Sequence, residues 1–179
     1  FDMAVAERAA RGERLPPQWA GLKFFNVFGP NEYHKGAMMS VLARRFDDIK
    51  AGRIVQLFKS HRDGIADGDQ RRDFIYVDDV VRVMTWLLAT PEVSGIYNVG
   101  TGKARSFRDL MLSAYAALGT AANIQYVDMP EQIRGSYQYF TQSDVDRLQR
   151  AGYNGGFTAL EAAVETYVKD FLDSADRFR

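Results

Sequence analysis

The chain has 179 residues, 46% hydrophobic and 26% charged, a globular balance long enough for a sizeable core and unlike a disordered segment. Lys+Arg and Asp+Glu stand equal at 23 each, so no net basic field points to nucleic acid or an anionic membrane as partner. Cysteine is absent and histidine occurs only as His34 and His61, which excludes disulfides, thiolate metal sites and a histidine-built metal cluster.

Residues 3–12 read as an amphipathic helix with Met3, Val5, Ala6, Ala9 and Ala10 on one face and Gly12 as its stop. Pro16-Pro17 makes a rigid connector. Residues 22–27 are expected as one strand buried on both faces, since polar alternation is weak. Gly29-Pro30 ends it, and Asn31-Glu32-Tyr33-His34-Lys35 crowds polar side chains into the loop beyond. In open α/β sheets ligands sit where strands end, so this loop is the first candidate site.

A helix is expected over 36–51, with Met38, Val41, Leu42, Phe46 and Ile49 inward, then a strand over 54–58. Lys59 to Arg72 reads as a long polar loop, functional or mobile at that length. A strand over 73–77 follows, and Asp78-Asp79 is expected to cap a helix reaching about Ala89. Residues 96–99 form the next strand. Ser106 with Asp109 then makes a capping box for a helix stopped by Gly119. A strand over 124–127, a short helix over 144–151, and a final helix opened by a Thr158-to-Glu161 capping box complete the chain. Alternating strands and helices give an α/β fold class.

Several residues invite chemistry. Lys35 is either a solvated charge or an amine desolvated enough to carry protons. Asn26 at a strand end forms a local turn bond or a ligand contact. Arg71 and Arg72 flank a loop-to-strand junction, and a guanidinium fork suits phosphate oxygens. Tyr137 is a half-buried core tyrosine or a ligand contact. Gly100-Thr101-Gly102-Lys103 fails both Gly-rich phosphate signatures and reads as a tight turn. Asp47-Asp48 reads as a solvated helix face.

Asn26-Val27-Phe28-Gly29-Pro30 after an aromatic strand, and Arg72-Asp73-Phe74-Ile75-Tyr76-Val77-Asp78-Asp79, resemble the extended short-chain dehydrogenase/reductase superfamily of sugar-nucleotide enzymes. The continuation Glu32-Tyr33-His34-Lys35-Gly36 resembles its ADP-L-glycero-D-manno-heptose 6-epimerase family. The resemblance covers the C-terminal half of such an enzyme. It implies a Rossmann-type fold: 1–27 and 78–101 would be remnants of the cofactor domain, and 28–77 with 102–179 the small α/β substrate domain. It makes Lys35 the second catalytic residue. Asn26, His34, Ala37, Arg44, Phe58, Lys59, Ser60, His61, Arg72 and Tyr137 would contact substrate, Arg72 on its diphosphate, and Val27 would lie near the nicotinamide.

The same resemblance implies NADP as cofactor, an ADP-heptose substrate of lipopolysaccharide core synthesis, a cytoplasmic location and a homo-oligomer, a pentamer. Neither a Gly-rich βα turn nor a Tyr-x-x-x-Lys pair occurs in the 179 residues. Phe1 is expected to begin just after that pair, leaving the chain inactive alone. Two alternatives remain open: another NAD(P)-dependent nucleotide-sugar epimerase or dehydratase, and a non-catalytic sugar-nucleotide binding module.

Overall fold

The computed structural model describes residues 2–176. Helix α1 (Asp2–Ala10) leads to β1 (Ala20–Phe24) and β2 (Asn26–Phe28). A 3₁₀ segment (Tyr33–Met38), α2 (Val41–Lys50), β3 (Val55–Phe58), β4 (Arg71–Arg72), β5 (Phe74–Tyr76) and α3 (Val77–Ala89) follow. Then come β6 (Gly95–Val99), β7 (Arg105–Ser106), α4 (Phe107–Leu118), β8 (Ile124–Val127) and α5 (Glu131–Arg134). The chain closes with β9 (Phe140–Thr141), α6 (Asp146–Arg150) and α7 (Leu160–Thr166), which runs on as π-helical Tyr167–Leu172.

Parallel pairing dominates, as the α/β reading requires. β1 pairs with β6, β2 with β5 and β3 with β8, all parallel, while β4 lies between antiparallel β7 and parallel β9. Successive side chains of a strand point to opposite faces, and β5 uses both. Phe74 and Tyr76 enter a core shared with α2, β3, α4 and α7, whereas Ile75 enters a second core with α3, β6 and α6.

Four expectations need correction. The strand over 22–27 is two strands with different partners: Phe25 N–H donates to Val99 and Val27 N–H turns back to Phe25, breaking the run. Nor is it buried on both faces, since Lys23, Phe24 and Asn26 are exposed. The helix over 36–51 begins only at Val41, because Gly36 takes a left-handed φ of 53° and Ser40 caps α2 through Ala43 N–H. Asp79 does not cap α3; the N-cap is Tyr76, and the buried Asp79 carboxylate accepts from Thr158 N–H and Oγ1. Thr158 is therefore spent on Asp79, and α7 starts from Ala159 without a side-chain cap. The two expected caps bond one another instead, tying α3 to α7. The Ser106–Asp109 capping box and the left-handed Gly119 stop are as expected.

Gly100-Thr101-Gly102 does hold an anion, but it is the protein's own. Asp73, fully buried, accepts from Thr101 N–H (2.8 Å) and Oγ1 (2.6 Å), Gly102 N–H (2.9 Å), and Ser143 N–H (3.0 Å) and Oγ (2.5 Å). Burial pushes the Asp73 carboxyl up, yet these bonds from Ser143 and Thr101 prevail and hold it below the usual range. A Cβ at Gly100 would fall 2.5 Å from Ser143 Oγ and 2.8 Å from Asp73 Oδ2, so only glycine fits the turn.

Asp73→Asn should cost on the order of 3 kcal/mol, read by urea denaturation, because an amide cannot accept five bonds. A depressed folded pKa means that Asp73 stabilises fully above its unfolded value near 4. That stability should fade as pH falls through the folded value, and the variant should lack this acid-dependent loss.

Candidate functional site

A cavity of about 280 Å³ opens between α2, β3 and the start of α4. Arg44 and Arg45 reach it from α2, Phe58 from β3, Phe107 from α4, and Gln70 and Tyr137 from loops. The Arg72 guanidinium lies 5.3 Å from the Tyr137 ring centre and 5.7 Å from that of Phe107. Tyr137 meets Phe58 edge-on at 6.1 Å and Tyr139 at 5.7 Å.

Burial lowers the Arg72 pKa from its very high ordinary value, but guanidinium remains a fixed cation. Burial also raises Tyr137, with Arg72 opposing, so the phenol stays a neutral donor. With its central carbon over both rings, Arg72 still has N–H groups to offer acceptor oxygens. Nη1 already donates to the Arg71 carbonyl (2.8 Å). A flat apolar ring with an anionic tail fits this combination of aromatic wall and guanidinium edge.

The loop after β3 is fastened from both sides. Gln70, 1% exposed, donates to the carbonyls of Phe58 (3.3 Å) and Lys59 (3.1 Å). Ser60 N–H donates to Asp67, and His61 N–H to the Tyr139 hydroxyl (3.0 Å). His61 Nε2 accepts from Met129 N–H (3.3 Å), and Lys59 Nζ lies 3.5 Å from Asp128. A second cavity of about 210 Å³, lined by His61, Arg62, Arg134 and Tyr139, shares the Tyr137 wall.

The loop before α2 is an arch. Asn31, at φ 64°, and Gly29, at φ 146°, turn the chain out of β2; a Cβ at Gly29 would strike Val77 Cγ1 at 2.5 Å. His34, Lys35, Gly36, Ala37 and Met38 are all exposed along it. At its near foot Glu32 is buried, 2% exposed, and accepts from Ser40 N–H (2.7 Å), Ser40 Oγ (2.6 Å) and the Tyr167 hydroxyl (3.1 Å). Burial, then Glu32, drives the Tyr167 pKa strongly upward, keeping that phenol a donor.

The structure thus gathers Arg44, Phe58 and Tyr137 around one cavity, with Arg72 lying over two rings of its wall, Tyr137 and Phe107, His61 lining a neighbouring cavity, and Lys59 and Ser60 in the strap between Phe58 and His61. His34, Lys35 and Ala37 stand apart on the arch, joined to the cavity where Arg44 Nη1 donates to the Ala37 carbonyl (3.3 Å). Asn26 and Val27 lie on β2 beside β5, with Asn26 N–H donating to the Asp73 carbonyl (3.0 Å). Sequence reasoning missed Phe107, Gln70 and Glu32. An apolar first residue of a helix and a lone Gln carry no signal. Glu32 could have been flagged by its place between Gly29-Pro30 and a capping serine.

The NAD dependent epimerase/dehydratase family matches residues 6–100. The ADP-L-glycero-D-manno-heptose-6-epimerase of Nitratidesulfovibrio vulgaris (strain DP4) is 51% identical over 159 residues, covering 89% of this chain and 49% of that protein. The Fusobacterium nucleatum enzyme of the same name is 43% identical over 176 residues, covering 95% and 53%. The chain therefore spans about half the length of the curated relatives it matches. Among solved structures, the Helicobacter pylori ADP-L-glycero-D-manno-heptose-6-epimerase superposes with TM-score 0.68 at 26% identity, over 86% of this chain and 44% of that one. Thermus thermophilus UDP-glucose 4-epimerase in complex with NAD gives 0.68 at 24% identity, over 93% and 49%, a likeness of fold.

Tyr137→Ala removes the ring against which Arg72, Phe58 and Tyr139 pack, and should cost about 2 kcal/mol in urea denaturation. Tyr137→Phe keeps the ring and should stay within about 0.5 kcal/mol of the parent.

Proposed function

The chain belongs to the NAD dependent epimerase/dehydratase family, and from that premise we propose that it is the C-terminal, substrate-side half of an ADP-glyceromanno-heptose 6-epimerase. The observation that carries this is the Arg72 guanidinium lying 5.3 Å over the Tyr137 ring, where Tyr137 with Arg44 and Phe58 lines a cavity. That cavity has one flat apolar side and a cationic edge, the complement of a nucleoside diphosphate.

In this reading the nucleotide base lies against Phe58 and Tyr137, and Arg72 holds the diphosphate, with Arg44 beside it. The sugar extends toward the arch, where Lys35 holds or releases a proton at the C6″ oxygen. Asn26 approaches the sugar from the end of β2 and Val27 faces the nicotinamide. His34 and the backbone of Ala37 line the arch side; Lys59, Ser60 and His61 pass over the nucleotide.

In the whole protein the reaction would be inversion at C6″ through a ketone, for which NADP would supply the hydride acceptor and donor. The residues present do not fit a whole dinucleotide, because the 179 residues contain no Gly-rich turn for its pyrophosphate and no Tyr-x-x-x-Lys pair. No cofactor step is assigned to this chain, which we propose to be inactive alone. We divide it into cofactor-side pieces, 1–27 and 78–101, and a substrate domain, 28–77 with 102–179; a separate core packs around α3 and β6, and Ile75, Leu148 and Tyr153 join it from the substrate-domain side. For the whole protein we further propose a role in lipopolysaccharide core synthesis and a cytoplasmic homo-oligomer, a pentamer.

Two outcomes test the reading. By calorimetry the chain should bind ADP, and Arg72→Ala should weaken that binding at least tenfold, about 1.4 kcal/mol. In the intact enzyme Lys35→Ala should lower kcat by roughly 10² to 10⁴ while leaving ADP affinity within about twofold, the pattern of a transition-state contact. Full turnover by Lys35→Ala, or epimerisation by the isolated chain, would contradict it.

A further inference from the structure

The arch carrying Lys35 has two feet, and one carboxylate joins them. Glu32 at the near foot accepts from both the N–H and the hydroxyl of Ser40 at the far foot, at 2.7 and 2.6 Å. The Glu32 carbonyl also accepts from Lys35 N–H (3.0 Å). Ser40 Oγ in turn accepts from Ala43 N–H (3.2 Å), fixing the far foot to the first turn of α2. The third donor to Glu32 is remote: Tyr167, 0% exposed, reaches it from the last helix at 3.1 Å. Between the feet, residues 34–38 are exposed and make no core contact of their own.

A buried carboxylate is costly unless hydrogen bonds replace its water. Capping α2 does not require one, since Ser40 already does it. Nor does filling the core, where an apolar side chain would be cheaper. What a carboxylate uniquely supplies is acceptors only, so all three donors, two from Ser40 and one from Tyr167, find a lone pair and the arch has one favoured position. Replacing Glu32 by Gln puts an N–H₂ group against a donor and leaves one bond unmade.

We propose that Glu32, anchored by Tyr167, is the positioning residue that holds the Lys35 arch in register with the Arg44–Arg72 cavity. This rests on the assignment of Lys35 to the sugar made above. Through Ser40, the same carboxylate also places α2, and hence Arg44, so the two halves of the site share one fastening.

Two variants test this, Glu32→Gln and the milder Tyr167→Phe, which keeps the buried ring. In the isolated chain, hydrogen exchange at residues 33–38 should speed at least about tenfold in Glu32→Gln and less in Tyr167→Phe. In the intact enzyme kcat should fall at least about tenfold while KM for the sugar nucleotide moves less than about threefold. A purely structural contribution would instead lower the melting temperature and the folded fraction without separating kcat from KM. Unchanged exchange at 33–38 in both variants would overturn the proposal, as would unchanged kcat where Lys35→Ala abolishes turnover. If Lys35→Ala itself turns over normally, the Lys35 assignment fails and the positioning role falls with it. Faster exchange in Glu32→Gln would then show that the arch was fastened all the same, separating the two failures.

Discussion

The arrangement depends on the buried Asp73 carboxylate. Its oxygens collect donors from Thr101, Gly102 and Ser143, binding the turn after β6 and the segment after β9 to the junction of β4 and β5. Its carbonyl accepts from Asn26 and so holds the start of β2. Arg72 and Phe74, its neighbours in the chain, are thereby fixed in opposite tasks: one stacks at the rim of the cavity, the other enters the core. One residue thus sets where β2 begins and where the guanidinium sits.

The same device recurs twice more. Asp79 draws Thr158 N–H and hydroxyl to α3, and Glu32 draws Ser40 and Tyr167 to the arch. In each case a carboxylate is fully or nearly withdrawn from water and takes donors from other elements of the chain, Asp79 pairing with Arg82 on its own helix as well. Removing a donor costs more than adding one gains, so these fastenings resist local loosening. That suits the proposed site, in which the cationic edge and the proton carrier sit on different elements and would hold a common ligand.

The α/β order, the positions of β3, β6 and β8, and the Ser106–Asp109 capping box were legible because they rest on local pattern: apolar runs, Gly stops, and a serine three residues before an acid. Asp79 and Thr158 misled for the same reason. Each looks like a cap locally, but a long-range bond between them is better than either cap. Arg72 and Tyr137 were candidates on residue chemistry, but only the resemblance grouped them with Arg44 and Phe58, which lie far apart in sequence. Phe107 and Gln70 escaped because their part depends on what faces them. The split at Phe25 escaped because strand pairing is set by β5 and β6, far along the chain. The exposed Lys23 and Phe24 show that weak alternation alone does not establish burial on both faces.

The central claim is that the Arg72 cavity and the Lys35 arch serve one ligand. The most direct measurement is a structure of the chain bound to an ADP-heptose. The arrangement predicts the diphosphate on the Arg72 guanidinium, the base against Phe58 and Tyr137, and the heptose directed at Lys35. A ligand seated elsewhere, or one whose sugar points away from the arch while Arg72 still holds the diphosphate, would contradict it.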